Sequence, residues 1–110
     1  MQNIAEFQII GRIGKIDTKD KVTYMSVAAN YRRKDGEEWV DDTHWNNVTL
    51  FSKVAARVGK MTTGDLVHVR GRVRQNRYDK DGQTQFNVDL IADSIARLAK
   101  VGEDSDDHQD

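Results

Sequence analysis

The chain lacks both cysteine and proline among its 110 residues. The absence of cysteine excludes disulfides, cysteine-ligated zinc and thiol catalysis, and the absence of proline excludes rigid linkers and polyproline ligands. No apolar run approaches the ~18 residues of a membrane span. The first residues, MQNIAEFQII, lack the basic start and the apolar stretch of a signal peptide. We therefore expect a soluble protein of the cytoplasm with no membrane partner.

Charge is unevenly distributed along the chain, although the formal net charge is only −1. Residues 101–110 hold five acids and no lysine or arginine, which leaves 17 basic and 13 acidic residues, a balance of +4, in the first 100. Hydrophobic residues make up 37% of the sequence, which suffices for one lean core. We predict one domain over residues 1–100, weakly suited to an anionic partner, and a disordered acidic tail over residues 101–110.

Alternation of apolar and polar side chains predicts five β-strands. In the first strand Phe7, Ile9 and Ile13 keep period two, while Gly11 and Gly14 indicate bulges or a bend. Two Asp-Gly pairs predict turns, and the polar residues around the first pair predict a long exposed hairpin arm. The predicted segments are Glu6–Ile16, Val22–Tyr31, Trp45–Phe51, a strand starting at Leu66 and one around Phe86–Leu90, with turns at Asp35-Gly36 and Asp81-Gly82.

A short helix is predicted between the third and fourth strands. Ser52 is placed to be its N-cap, Val58 lies on its apolar stripe, and Gly59 is placed to end it. Five strands with glycines in the middle of two of them fit a closed barrel better than an open sheet, because glycine lets a strand bend and closure removes the edges. The order indicates an all-β, five-stranded OB-fold barrel with one short helix between strands 3 and 4.

Three arginines alternate along the fourth strand, in the stretch HVRGRVRQNRY. Arg70, Arg72 and Arg74 fall on one face, opposite the valines, where like charges repel. They could form a solvated face, pair with acids across the sheet, or bind an anionic partner. On the fifth strand only Asp89 stands out as a cross-sheet partner, so we expect the arginines to need no pairing within the protein.

Aromatic and basic side chains recur together, as single-stranded nucleic acid binding requires: cations track the phosphates and aromatic faces stack on unpaired bases. Trp45 could instead belong to the core, but the polar residues on its face favour exposure, and Phe51 is expected to be partly packed. Core aromatics should lie mid-strand among valine and isoleucine, as Phe7 and Phe86 do. The predicted stacking residues are Tyr31, Trp39, Trp45, Phe51 and Tyr78, and the cations beside them are Arg32, Arg33, Lys34, Lys53, Arg74 and Arg77.

Catalytic patterns are weak in this sequence. His44 beside Asp41 and Asp42 could hold a metal ion and serve a metal-dependent nuclease, but one histidine with two loop acids is a poor signal. No Ser-His-Asp arrangement stands out. We therefore predict a protein that is not an enzyme and needs no metal or cofactor.

Two central motifs, WNNVTLFSKVAARV and TGDLVHVRGRVRQNRYDKDGQ, resemble the bacterial single-stranded DNA-binding protein family, and the start IIGRIGKI is similar to that family's Gly-x-Leu/Ile-Gly start. The resemblance runs from about Asn3 to Leu98. It implies an OB fold that coats single-stranded DNA without strong sequence preference in replication, recombination or repair. It also implies base stacking by Tyr31, Trp45, Phe51 and Tyr78 and phosphate contacts by Lys34, Lys53, Arg74 and Arg77. Trp39 has no counterpart in the family pattern and is added as an extra contact.

The resemblance further implies a homo-oligomer, with a tetramer favoured and a dimer possible. Asn46 stands where family members often carry a histidine near subunit contacts, and the sequence ends without the hydrophobic Pro-Phe tip that recruits replication and repair enzymes. Those protein partners are therefore left open. The alternative is a primosomal-type OB accessory protein that acts mainly through protein partners at replication restart.

Overall fold

The computed structural model describes residues 2–102 and contains a closed barrel of five strands, arranged in the order β1-β2-β3-β5-β4. A short helix lies between the third and fourth strands, as predicted. It continues into a 3₁₀ turn over Arg57–Lys60. The elements are β1 Glu6–Lys19, β2 Val22–Asp35, β3 Glu38–Phe51, α1 Ser52–Ala56, β4 Leu66–Lys80 and β5 Gln83–Ala99.

The core occupies the barrel interior and follows the predicted alternation. On β1, Ile9 and Ile13 point inward, and on β3 Val48 and Leu50 are fully buried while their neighbours face outward. Val58 of the 3₁₀ turn belongs to the same cluster, so the helical segment covers one end of the barrel. The other buried apolar members of the cluster are Met25, Val27, Val67, Val69, Ala92 and Ile95.

Barrel closure depends on close backbone approaches at two glycines. A Cβ on Gly11 would lie 2.8 Å from the carbonyl carbon of Ala28, and a Cβ on Gly71 would lie 2.8 Å from the Cα of Ala92. Both distances are far below van der Waals contact, so only glycine lets these strands pack. The β4–β5 register shifts beside Gly71 because Asp93 is an extra residue on β5. Gly11 and Gly71 thus mark close approaches between strands, and Gly71 also lies beside a bulge.

Two hairpins extend beyond the barrel wall. The β1–β2 pairing begins at Arg12 and Ala28, whereas β2 stays paired with β3 as far as Asp35 and Glu38. We call residues 29–44 the β2–β3 arm. Similarly, β4 and β5 remain paired beyond the last β1 contact at Arg72, and we call residues 73–90 the β4–β5 arm. Both arms end in the predicted Asp-Gly turns, whose glycines have φ values of 68° and 79°.

Three expectations from the sequence are wrong. Ser52 is not an N-cap: Phe51 holds that position without a side-chain bond, and Ser52 has φ 46° with its N–H donating to the Lys21 carbonyl at 3.1 Å. Gly59 does not end the helix, since the 3₁₀ turn continues through Lys60. Phe86 is not a core residue, because it lies on the β4–β5 arm beyond the barrel and is 61% exposed.

The acidic residues predicted to form a tail begin at position 103 and lie outside the described residues.

Candidate nucleic-acid interface

Both tryptophans lie on one face of the β2–β3 hairpin. The register pairs Lys34 with Trp39 and Arg32 with Asp41, and Trp45 follows on the same face at the root of the arm. The two indoles are 58% and 60% exposed. Six residues along a strand separate them by about 20 Å. We call Trp39, Trp45, Arg32 and Lys34 the tryptophan face; it combines two aromatic surfaces with two cations.

The Trp45 indole packs against the barrel at Gly14, which has no side chain. A Cβ on Gly14 would lie 2.8 Å from Cη2 of the indole, so the ring occupies the space that any other residue at position 14 would fill. The β1–β2 register is irregular between Ile13 and Lys15, and the Lys15 N–H donates to Ser26 Oγ at 2.9 Å. Gly14, which was predicted to form a bulge, therefore also makes room for the Trp45 ring. The other face of the indole is open to solvent.

Tyr31 lies on the opposite face of the same arm. Its ring centroid is 5.0 Å from that of His44, with the planes tilted by 52°. Asp42 accepts a hydrogen bond from His44 Nε2 at 3.0 Å, and Arg33 Nε lies 3.9 Å from the same carboxylate oxygen. We call these four residues the tyrosine face. The hydrogen bond from His44 holds the pKa of Asp42 below its ordinary value, and the charge of Arg33 acts in the same direction.

Phe51 and Lys53 lie at the far end of β3 from the arm. Phe51 ends the strand and is 41% exposed, on the same face as Trp45 but about 20 Å away along the strand. Lys53 in α1, together with Lys21, borders an open cleft of about 790 Å³ between the β1–β2 hairpin and the helix. The structure therefore separates this pair of predicted contacts from the arms.

Two arginines of β4, Arg72 and Arg74, are paired with acids of β5, which is the cross-sheet pairing that the sequence left open. Arg74 Nη2 donates to Asp89 Oδ2 at 3.1 Å, and Asn76 Nδ2 donates to the same oxygen. Arg72 Nη1 donates to Asp93 Oδ1 at 3.0 Å. The sequence reading missed Asp93 because only the bulge in β5 brings it beside Arg72.

The remaining predicted contacts on the β4–β5 arm fall on different faces. Tyr78 shares the face of Arg74 and is half exposed, whereas Arg77 faces the other way and is opposite Phe86 in the register. No ion pair joins Arg77 to any residue in the range 2–102. Exposed Phe86 beside Arg77 was missed from the sequence, because alternation with valine suits a core strand and an arm equally well. Arg77 and Tyr78 border a small open cleft of about 300 Å³ with Asp79 and Thr84.

The residues suggested for a metal-dependent nuclease do not converge. Asp41 and Asp42 are consecutive on β3 and point to opposite faces, and His44 is hydrogen-bonded to Asp42. Within the described part of the chain, no group of three or more histidine or acidic side chains could hold a metal ion. None of the helices described there is long and apolar enough to cross a membrane.

Comparison with known proteins places these features in a family. The model of the single-strand binding protein family matches residues 4–98. A single-stranded DNA-binding protein of Treponema pallidum is 28% identical over 109 residues, covering 92% of this chain and 61% of that protein. Single-stranded DNA-binding protein 2 of Streptococcus agalactiae is 33% identical over 85 residues, covering 76% and 64%. The chain thus spans about three fifths of the length of these relatives.

Solved structures share the barrel at lower sequence identity. The single-stranded DNA binding protein from Thermus aquaticus, solved as a deletion mutant, superposes with a TM-score of 0.75 at 20% identity, covering 92% of this chain and 52% of that one. Plasmodium falciparum SSB, solved in complex with ssDNA, gives a TM-score of 0.70 at 21% identity, with coverage of 89% and 97%. At these identities the likeness establishes the fold, and it confirms the predicted OB-fold barrel.

Proposed function

This chain belongs to the single-strand binding protein family, and from that premise we propose that it binds and coats single-stranded DNA without strong sequence preference. The tryptophan face carries the proposal. Two exposed indoles flanked by Arg32 and Lys34 combine the stacking surfaces and the cations that unpaired nucleic acid requires. Stacking is tolerant of sequence because every base offers a π-face.

The contacts we propose are spread over several faces of the molecule. Because Trp45 and Tyr31 lie on opposite faces of the β2–β3 hairpin, a strand that stacks on both must pass around this arm. Arg74 reaches a phosphate only by sharing or breaking its pair with Asp89. The proposed stacking residues are Tyr31, Trp39, Trp45, Phe51 and Tyr78, and the proposed phosphate contacts are Arg32, Arg33, Lys34, Lys53, Arg74 and Arg77.

We propose that coating serves DNA replication, recombination or repair, and that the chain has no catalytic activity of its own. We also propose a cytoplasmic, nucleoid-associated site of action, because a protein that coats single-stranded DNA must act where that DNA is. Asp41 and Asp42 point to opposite faces of β3, which argues against the nuclease alternative. An oligonucleotide that stays intact after long incubation with magnesium would exclude nuclease activity.

We further propose that the chain self-associates, most simply as a tetramer, through the face of the β4–β5 arm that carries Val73, Phe86, Val88 and Leu90. The first three are exposed, although they continue the inward-facing row of the barrel. The same face carries Arg77 opposite Phe86, nearer the tip of the arm. A two-stranded arm with a largely apolar face is marginal in water and gains stability by covering the apolar part. A second copy offers the same apolar stripe. Light scattering should show an oligomer, and Phe86→Gln should reduce its mass.

The alternative, a primosomal-type accessory protein, differs in whether DNA or another protein is the main partner. Such a protein would act mainly through protein contacts and would bind single strands weakly. The exposed positions of Trp39 and Trp45 support the coating function, since indoles used only for folding would be covered.

The test is tryptophan fluorescence, because the chain has two tryptophans and both lie on the proposed surface. A pyrimidine oligonucleotide at low salt should quench the emission, and a duplex of equal length should quench it far less. Single-tryptophan variants, Trp39→Phe and Trp45→Phe, assign the quenching to each indole. An absence of quenching at low salt would contradict the proposal.

A further inference from the structure

The tyrosine face contains a histidine whose side chain has partners on both strands of the arm. On β3 the His44 imidazole donates through Nε2 to Asp42, and on β2 the Tyr31 ring lies against it. Arg33 approaches it through the shared carboxylate of Asp42. The His44 side chain is about half exposed, so a ligand bound across Tyr31 would meet the imidazole as well.

Among the four residues of the tyrosine face, only His44 is of a type that changes charge near neutral pH. The acidic residues Asp35 and Glu38 lie on the same side of the arm, at its tip. The pKa of Asp42 is lowered by its hydrogen bond to His44 and by Arg33, so Asp42 stays ionised near neutral pH. Arg33 is always protonated. The two opposite charges cancel, and the face is neutral when the imidazole is neutral and singly positive when the imidazole is protonated. Histidine side chains ordinarily change charge near pH ~6.5.

We propose that His44 makes single-stranded DNA binding pH-sensitive: its imidazolium supplies a further cation beside the Tyr31 stacking surface. A cation at this position attracts the phosphate backbone and is itself held against the aromatic ring. Binding therefore takes up a proton, and affinity rises as the pH falls through the histidine range. This inference rests on the proposed function, because it assumes that single-stranded DNA lies across the tyrosine face.

The experiment measures the affinity of the whole chain for a fluorescein-labelled oligo-dT between pH 5.5 and 8.5 at constant ionic strength. Wild-type protein should bind about two- to fivefold more tightly at the acid end. Its salt slope there should be steeper by up to ~0.7, the value for one added phosphate contact on a single strand. His44→Gln keeps a polar side chain but cannot gain the charge, so it should flatten both effects. His68→Gln is the matched control, since His68 pairs with Gln8 on β1, away from both arms.

Calorimetry in buffers of different ionisation enthalpy provides a second readout, because wild-type protein should take up a proton on binding within this pH range and His44→Gln should take up less. The outcomes separate the two proposals. If wild-type protein binds no oligo-dT at any pH, the proposed function fails. If it binds and His44→Gln keeps the wild-type pH dependence and proton uptake, DNA binding stands and the role of His44 is overturned.

Discussion

At the scale of single residues, the absence of a side chain at position 14 matters as much as the tryptophan it accommodates. The indole of Trp45 lies in the space above Gly14, so its inner face is supported by backbone while its outer face is free. A stacking surface that is already fixed loses little conformational entropy when a base binds. Gly14 therefore contributes to binding without touching the DNA.

The first prediction concerns Gly14→Ala. The new methyl group would displace the Trp45 ring, so affinity for oligo-dT should fall by up to ~1–3 kcal/mol, the value of one stacked base. Gly59→Ala is the control, because a Cβ there meets nothing within 4 Å. Both variants are compared by fluorescence titration, with urea unfolding to confirm the fold. Equal affinity of the two variants for oligo-dT would show that the packing of Trp45 on Gly14 does not contribute to DNA binding.

The exposure of Trp45 could be predicted from the sequence, whereas that of Phe86 could not. Trp45 alternates with Val48 and Leu50 on the buried side and shares its own face with Asn47, so the pattern identified the outer face. Phe86 lies in an apolar row that the barrel would bury and the arm exposes. Whether Phe86 is buried or exposed depends on where the pairing of β4 with β1 ends, at Arg72. The sequence pattern does not show which residues pair between strands.

At the scale of elements, the β4–β5 arm differs from the β2–β3 arm in how its charges are used. Arg72 and Arg74 each meet an acid on β5, so their mutual repulsion is compensated inside the protein. Exposed pairs of this kind contribute little to stability, typically 0–1 kcal/mol. Their larger effect is on binding, because a phosphate must compete with a carboxylate for the guanidinium. The sequence predicted the strand face correctly but not the bulge that supplies Asp93.

The second prediction is that Asp89→Asn strengthens DNA binding. Removing the carboxylate frees Arg74 for a phosphate, so affinity for oligo-dT should rise and the salt slope should steepen by up to ~0.7. Asp93→Asn frees Arg72 in the same way and provides the matched control, since Arg72 is not among the proposed phosphate contacts. Salt titrations of both variants test this. If Asp93→Asn gives the larger effect, Arg72 rather than Arg74 is the contact.

At the scale of the whole molecule, Asp65 ties together segments that are far apart in sequence. The loop before β4 is joined to β1, where the Gly64 N–H donates to the Ile13 carbonyl at 2.8 Å. The Asp65 carboxylate accepts the N–H groups of Thr62 at 2.9 Å and Val101 at 2.8 Å. Arg97 near the end of β5 lies 3.6 Å from it. One buried carboxylate thus fixes the start of β4 to the point where the chain leaves the barrel.

The last prediction follows from the pKa of Asp65. Burial alone would raise this pKa, but the hydrogen bonds from Thr62 and Val101 and the charge of Arg97 outweigh it, so the pKa lies below its ordinary value. A lowered folded-state pKa stabilises the fold above the ordinary aspartate pKa of ~3.9, and this contribution is lost as the pH falls through the folded value. Wild-type protein should therefore lose part of its free energy of unfolding below about pH 4.

Asp65→Asn separates this effect from general acid unfolding. Asparagine cannot replace both acceptor oxygens, so the variant should be less stable than wild type by ~1–3 kcal/mol at pH 7. The difference should shrink as the pH falls below the ordinary aspartate pKa of ~3.9 and through the lower folded-state value, because the wild-type carboxyl becomes protonated there. Asp17→Asn is the control: its pair with Lys19, 4.0 Å apart, is largely exposed and should contribute little at any pH. Urea unfolding across this pH range measures all three proteins, and a wild-type advantage over Asp65→Asn that stayed constant with pH would mean that the carboxylate charge is not what holds the loop.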